Sequence, residues 1–257
     1  MAQLTHGERV ARRFGSRAAD YDEHAVLQRQ TAARLAAFVD ERGGLYGAEQ
    51  ADGLVAEVGC GTGLLSTLLA PRAARYLATD IAPEMLERCR SKLTETLPDM
   101  EFSVLNGEGT CFAETPAVIV SNLTAQWFRA PASGLAHLAG QTPRLFFAVP
   151  LAGSFPEWEQ AFADLGRASG LLSLPEESLL REVLCALPDR AAHFQTDEHV
   201  IHYADARAFA ESFRRIGADT PRPGYTPRPI RAVLQRFGSG MDASARVLYG
   251  CITKESA

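Results

Sequence analysis

The sequence predicts one α/β domain over residues 1–257, doubly wound about a mostly parallel seven-stranded sheet. Three observations predict it. Short runs rich in Val, Ile, Leu and Phe alternate with helix-patterned stretches through the first 150 residues, which describes strands covered by helices on both faces. A glycine-rich turn joins the first of these strands directly to a helix. A chain of 257 residues, 46% of them hydrophobic, can bury about 70% or more of its unfolded surface, enough for such a core.

The elements follow in order. Residues 5–42 are helical in pattern, marked by Val10, Phe14, Leu27, Leu35, Phe38 and Val39 and stopped by Gly43-Gly44. A polar linker, 47–53, leads to a strand at 54–58, a helix at 64–69 and a strand at 76–79. Pro83 opens a helix that reaches Leu93, because its missing N–H costs nothing in a first turn. Strands at 101–105 and 117–121, a helix at 131–139 and a fifth strand at 145–149 complete the alternation. After residue 150 the rhythm changes: 155–169 and 176–187 read as helices with no strand between them. Residues 151–190 are therefore expected to be a helical insertion after strand five, covering the sheet's carboxyl edge, where open α/β sheets bind ligands. A strand at 198–203, a helix capped by Asp205 up to Arg215 and a strand at 246–252 close the chain. The proline-rich stretch 221–229 between the last helix and strand reads as a stiff surface connection.

Composition narrows the function. A net charge of −5, from 26 Lys+Arg against 31 Asp+Glu, lacks the basic excess of a nucleic-acid binder. No apolar run reaches the length of a membrane span: Glu57 interrupts the one at Leu54, and Pro150 and Gly153 interrupt the one at Leu145. Charged residues from His6 to Arg13 occupy the place of a signal peptide's apolar region. Five scattered cysteines without a CxxC pair read as reduced thiols, so a cytoplasmic location is expected. The cations are nearly all arginine, Lys92 and Lys254 being the only lysines, which reads as genome composition bias.

The sharpest signal for chemistry is Val55-Ala56-Glu57-Val58-Gly59-Cys60-Gly61-Thr62-Gly63, a strand running through three spaced glycines into a helix. Glycines let the backbone turn tightly and approach a ligand, and the helix N-terminus offers free N–H groups. The spacing is not GxGxxG and no GK[ST] follows, which weakens the dinucleotide and phosphate-loop readings. Seventeen residues beyond Gly63 the second strand ends at Asp80, an acid placed to accept both hydroxyls of a ribose.

This order of strand, GCGTG, helix, strand and terminal acid resembles the class I S-adenosylmethionine (SAM) methyltransferases, with their Rossmann-like sheet. The resemblance implies that Glu57 organises the loop and the cofactor's amino-acid end, that Gly59, Gly61 and Gly63 underlie its methionine part, and that Cys60 is among the cofactor-binding residues. It implies that Asp80 binds ribose, that Ile81 packs on adenine, that Met85 is among the cofactor-binding residues, and that Gly107-Glu108 lies near the adenine amine. Glu108 stands where an Asp is more usual, and the same segment also reads as a solvated turn.

Finer features are similar to one branch, the malonyl-acyl-carrier-protein O-methyltransferases of biotin synthesis. Phe14-Gly15-Ser16-Arg17-Ala18-Ala19-Asp20-Tyr21-Asp22, with Ala25 and Gln28, resembles that family's N-terminal lid, here residues 1–45. Ser121-Asn122-Leu123-Thr124-Ala125-Gln126-Trp127 resembles its SNLxxQW segment, and Gly153-Ser154-Phe155 and Phe213 to Ala218 resemble later parts. The Pro116-Ala117 approach to strand four departs from the family, where an acid is common. The resemblance implies catalytic roles for Tyr21, Asn122 and Trp127, with Tyr21, Gln28, Asn122 and Leu123 also against the cofactor. It implies an acceptor site drawn from Arg17, Gln126, Trp127, Arg129, Arg228 and Arg231.

What the resemblance implies chemically is methyl transfer from SAM to the free carboxyl of malonyl-loaded acyl carrier protein, which opens pimeloyl formation. A carboxylate, with a pKa near 4, is ionised at neutral pH and needs no general base. That accounts for the lack of a His-Asp or Cys-His constellation. A carboxylate favours a bidentate arginine, and an acidic carrier protein favours an arginine-bearing surface. No metal site is expected: His199 and His202, three apart on a strand, face opposite ways. Plainer readings stand beside these. Tyr21 and Trp127 also read as packing residues, Cys60 as a small filler, and Asn122-Leu123-Thr124 as a glycosylation sequon never used in the cytosol. Rival functions are a methyltransferase for a free small carboxylate or a quinone precursor, and a SAM-binding assembly factor.

Overall fold

The computed structural model of the chain describes residues 4–45, 53–97, 99–217, 231–238 and 240–255. Residues 47–52 of the expected linker, the proline-rich stretch 221–229 and Arg228 lie outside the described residues.

The N-terminal helical pattern resolves into three helices, α1 (His6–Gly15), α2 (Tyr21–His24) and α3 (Val26–Glu41). Helix α1 starts on a reciprocal cap: Thr5 Oγ1 accepts from Glu8 N, and Glu8 Oε2 accepts from Thr5 N at 2.7 Å. Turn residues 16–20 then break the helix, which separate the lid-like α1 and α2 from α3. Strand β1 (Leu54–Val58), helix α4 (Ser66–Leu69), β2 (Arg75–Asp80), α5 (Pro83–Leu93), β3 (Glu101–Val104), β4 (Val118–Asn122), α6 (Pro131–Gly140) and β5 (Arg144–Pro150) follow the expected alternation within a residue or two. Then come α7 (Pro156–Ala163), α8 (Glu177–Cys185), β6 (Arg190–Tyr203), α9 (Ala206–Arg215), α10 (Arg231–Arg236) and β7 (Met241–Lys254).

The seven strands form one sheet in the order β3-β2-β1-β4-β5-β7-β6. The first five are parallel and β7 runs antiparallel to both neighbours. Side-chain alternation along buried strands makes the sheet doubly wound. Val55, Val118, Val120, Phe146 and Ala148 point to the face packed by α3, α4 and α5, through Leu35, Phe38, Leu69 and Leu86. Ala56, Val58, Ile119, Leu145, Phe147 and Val149 point to the opposite face, against Leu135 and Leu138 of α6 and Leu180 and Leu184 of α8.

Several expectations need correction. Helix α7 ends at Ala163, six residues before the expected end at 169, and β7 begins at Met241, five residues before its expected start at 246. Strand β6 begins at Arg190, eight residues earlier than its alternation suggests, because all fourteen of its residues pair with β7. Helix α8 packs on α6 within the core, so the segment between β5 and β6 is not wholly a cover. Only its first part, α7 with the stretch 169–176, stands over the sheet's carboxyl edge. There it forms a third apolar cluster of Phe155, Trp158 and Phe162 with Phe209 of α9 and Met241 and Ala243 of β7.

Candidate active site

The strand order reverses between the parallel neighbours β1 and β4, from which the chain proceeds to opposite edges of the sheet, and the loops after them bound a crevice. Gly59 N and Cys60 N both donate to Thr79 O, at 2.8 and 2.9 Å, pinning the start of the glycine loop to β2. The two glycines that matter most do different jobs. Gly59, at φ +75°, leaves no room for a side chain, since an added Cβ would stand 2.2 Å from Thr124 Oγ1. Gly61, at φ +54°, has nothing within 4 Å of such a Cβ and lines an open cavity. That is a cradle, shaped for a ligand to lie against bare backbone.

This cavity, about 340 Å³, is lined by nearly every residue expected to meet a cofactor: Tyr21, Gln28, Glu57, Gly59, Cys60, Gly61, Asp80, Ile81, Met85, Gly107, Glu108, Asn122 and Leu123. Gly63 is not among them; it packs beneath the loop, where a Cβ would meet Cys89 Sγ at 2.8 Å. Asp80, 8% exposed, closes the loop: Oδ2 accepts from Gly61 N at 2.9 Å and Oδ1 from Ala82 N at 2.8 Å. Burial raises its pKa against those N–H donors. Each oxygen keeps a further lone pair, the acceptor capacity that a vicinal diol requires.

Glu57, 1% exposed, takes Tyr76 Oη at 2.7 Å and Ser66 Oγ at 2.5 Å on one oxygen, Oε2. Burial pushes its pKa up to about 7, against those two hydroxyl donors. A buried carboxyl poised near neutrality suits a cationic neighbour. Cys60 is buried, and the adjacent Cys89 thiol followed by burial raises its pKa, so it is no nucleophile at neutral pH. Glu108 accepts from Ala130 N at 3.0 Å, and its own N–H bonds Asn106 Oδ1 at 3.1 Å, so it holds its loop as well as lining the cavity.

A second cavity, about 770 Å³, opens beside the first, beneath α7 and α9. Phe14, Tyr21, Gln28, Leu123 and Trp127 line both cavities and so form the partition between them. The rings of Phe14 and Trp127 meet edge to face at 5.1 Å, and Phe14 and Tyr21 lie 6.5 Å apart. Burial, then the nearby Asp80 and Asp22, raise the Tyr21 pKa, which keeps its hydroxyl protonated. Leu123 holds φ +48°, a strained conformation for a branched side chain and one found at functional sites.

Two buried acceptors flank the partition without a partner among the described residues, Asn122 Oδ1 and Gln126 Oε1. Their amides are oriented by backbone carbonyls, Asn122 Nδ2 donating to Gln28 O at 3.3 Å and Gln126 Nε2 to Leu123 O at 2.7 Å. Asn122 lines the smaller cavity and Gln126 the larger.

The expected arginines do not converge. Arg17 is exposed on the α1–α2 turn and Arg231 exposed at the start of α10, both outside the lining of either cavity. Arg129 is exposed and lines the smaller cavity, not the larger. Among the described residues, no arginine lines the larger cavity.

Some contributors carry no sequence signal. His6 Nε2 donates to Trp127 O at 2.7 Å, which lays α1 across the smaller cavity. Asp22 of α2 accepts from Thr62 Oγ1 in the glycine loop and from Lys92 Nζ of α5 at 2.6 Å, latching the lid down. His199 bonds Tyr249 Oη at 2.7 Å and His202 pairs with Asp242, and among the described residues no cluster suits a metal.

The glycine cradle, the paired acceptors of Asp80 and the sheet order define a class I SAM-dependent methyltransferase, with SAM as its cofactor. A family model described as a methyltransferase domain matches residues 55–140. Magnesium protoporphyrin IX methyltransferase from Synechocystis, solved with bound SAM, has a similar fold at TM-score 0.60 and 17% identity, covering 100% of both chains. The chain is 31% identical over 221 residues to malonyl-acyl-carrier-protein O-methyltransferase of Herminiimonas arsenicoxydans, covering 84% of this chain and 79% of that one. It is 29% identical to the enzyme of that name from Magnetococcus marinus, covering 96% and 92%. The chain belongs to the malonyl-acyl-carrier-protein O-methyltransferase family. It is also 34% identical to a bifunctional biotin biosynthesis protein of Bordetella avium, of whose length it spans about half (51%).

Proposed function

We propose that this chain, a single cytoplasmic domain, methylates the free carboxylate of a malonyl thioester on acyl carrier protein and so opens pimeloyl formation for biotin. The carrying observation is the partition between the cavities. Its polar groups are the Tyr21 hydroxyl, the Gln28 amide and the Trp127 indole, none a base at neutral pH. Such a junction serves an acceptor that arrives ionised, as a carboxylate does, and not an amine or phenol that must lose a proton.

When bound, SAM supplies an electrophilic methyl group on a sulfonium. An ionised carboxylate would accept that methyl group directly, with no proton for the protein to move. The residues act around that transfer. Asp80 holds the ribose diol, Gly59 and Gly61 cradle the methionine part, and Asn122 Oδ1 and Glu57 face its ammonium. Ile81, Met85, Gly107 and Glu108 enclose adenine. Tyr21, Gln28 and Trp127, with no partner for their side-chain donors among the described residues, are available to the acceptor carboxylate. Phe14 and Tyr21, carried on the lid of residues 1–45, exclude water from both charges. Arg17 and Arg231, being exposed, suit the acidic carrier protein and not the reacting carboxylate. A free small diacid would leave most of a 770 Å³ cavity unfilled, which disfavours that rival.

The test is mass spectrometry of malonyl-carrier protein incubated with the enzyme and SAM. A gain of one methyl group, lost with the malonamyl analogue, supports the reading. Cofactor binding without any methylation would instead favour an assembly factor.

A further inference from the structure

One wall of the larger cavity is an apolar track that starts at the partition. Phe209, Phe213 and Ile216 recur at helical spacing along α9 and its end, so they share one face. Ile216 buries with Tyr21 of the partition in one apolar cluster. The rings of Phe213 and Phe209 lie 4.9 Å apart, and Phe209 meets Trp158 of α7 at 4.9 Å. All five side chains line the cavity. At the rise of a helix, Phe209 to Ile216 covers about 10 Å.

A malonyl group uses little of that track. An extended chain advances about 1.2 Å per bond, so a carboxylate held at the partition leaves the malonyl thioester carbon only about 2.5 Å away. The sulfur and the first amide of a pantetheine arm then lie along the apolar wall, where an amide without a partner is costly. Methylenes in the same place gain from burial, about fourfold in binding for each one removed from water. They also fit by length, since a seven-carbon diacyl group spans about 7 Å between its carbonyl carbons. We infer that the enzyme also methylates the terminal carboxylate of longer saturated ω-carboxyacyl thioesters, of five to seven carbons, with their methylenes laid along Ile216, Phe213, Phe209 and Trp158. The inference rests on the carboxyl-methylation reading above and adds to it the class of acyl chain the site takes. Selection of malonyl over longer diacyl groups then comes from the supply of carrier-bound substrate and not from this cavity.

The experiment gives the intact enzyme, at saturating SAM, the N-acetylcysteamine monothioesters of malonic, glutaric and pimelic acids and follows methyl ester formation by mass spectrometry. The expected kcat/KM on glutaryl and pimeloyl is at least equal to that on malonyl, rising towards about fourfold for each methylene that leaves water. Ala210, half-buried on α9, lines the same cavity, and Ala210→Phe narrows it. That variant should lower the pimeloyl-to-malonyl ratio by about tenfold, with S-adenosylhomocysteine affinity at its wild-type value separating the effect from misfolding. A wild-type kcat/KM lower on either longer thioester than on malonyl, which needs no variant to measure, overturns the inference while leaving carboxyl methylation standing. An unchanged ratio in folded Ala210→Phe also overturns it. No methylation of any of the three by an enzyme that binds S-adenosylhomocysteine removes the underlying reading, and the inference with it.

Discussion

The backbone N–H of Gly61 donates to Asp80 Oδ2 at 2.9 Å, joining the tip of the glycine loop to the end of β2. One carboxylate thus shapes the glycine loop and lines the smaller cavity, where we propose the cofactor lies. Asp80→Ala should therefore weaken SAM and S-adenosylhomocysteine equally, by about 1.5–3 kcal/mol for charge-assisted bonds, and should also lower Tm. Titration calorimetry with both ligands checks it. A loss of turnover with unchanged affinity would place Asp80 on the acceptor side.

Neighbouring glycines should fail differently. Gly59→Ala drives a Cβ to 2.2 Å from Thr124 Oγ1 and should lower thermal stability. Gly61→Val has open space around its Cβ, apart from backbone strain of about 1–2 kcal/mol. It should remain folded by circular dichroism while losing cofactor binding, because its side chain occupies the cradle.

Glu57 should make cofactor binding depend on pH. Burial lifts its folded pKa from 4.5 to about 7, so its contribution to stability is full below the unfolded value and is lost as pH rises through about 7. A bound ammonium favours the ionised form, so affinity should rise between about pH 6 and 8, with proton release near neutrality. Calorimetry in buffers of different ionisation enthalpy measures this, and Glu57→Gln should abolish it.

Turnover of the bound acceptor should be nearly flat above about pH 7, since no base must be titrated. A kcat rising steeply towards about pH 9 would mark an acceptor that needs deprotonation. Trp127→Phe and Gln28→Leu should each reduce kcat/KM by roughly tenfold to a hundredfold through lost donors to a charge. Arg17→Ala should leave the rate on a small malonyl thioester near wild type, because Arg17 lies outside both cavities.

The lid should open for exchange of ligand. Asp22→Ala removes the acceptor shared by Thr62 and Lys92, so backbone amides of residues 6–24 should exchange faster with deuterium in the free enzyme. S-adenosylhomocysteine should slow them in the wild type. Equal exchange with and without the ligand would make α1 and α2 fixed walls.

Local order was readable because its causes are local. Alternating apolar runs such as Val55 to Val58 identify strands by their own period, and Gly59, Gly61 and Asp80 announce a cradle and an acceptor at each strand's end. Asn122, Gln126 and Trp127 were marked by a short segment, and the structure places them at or beside one partition. Tertiary packing alone decided the rest. Asp22 meets Thr62 across 40 residues and His6 meets Trp127 across 121, and no chain-local period encodes such partners. Nor could residue type say which exposed arginine turns inward. Among those described, none lines the larger cavity, because the apolar faces of α7 and α9 claim its walls with Trp158, Phe209 and Phe213. The same packing leaves Gln126 Oε1 buried without a partner among the described residues, a property of three-dimensional burial that no sequence position carries.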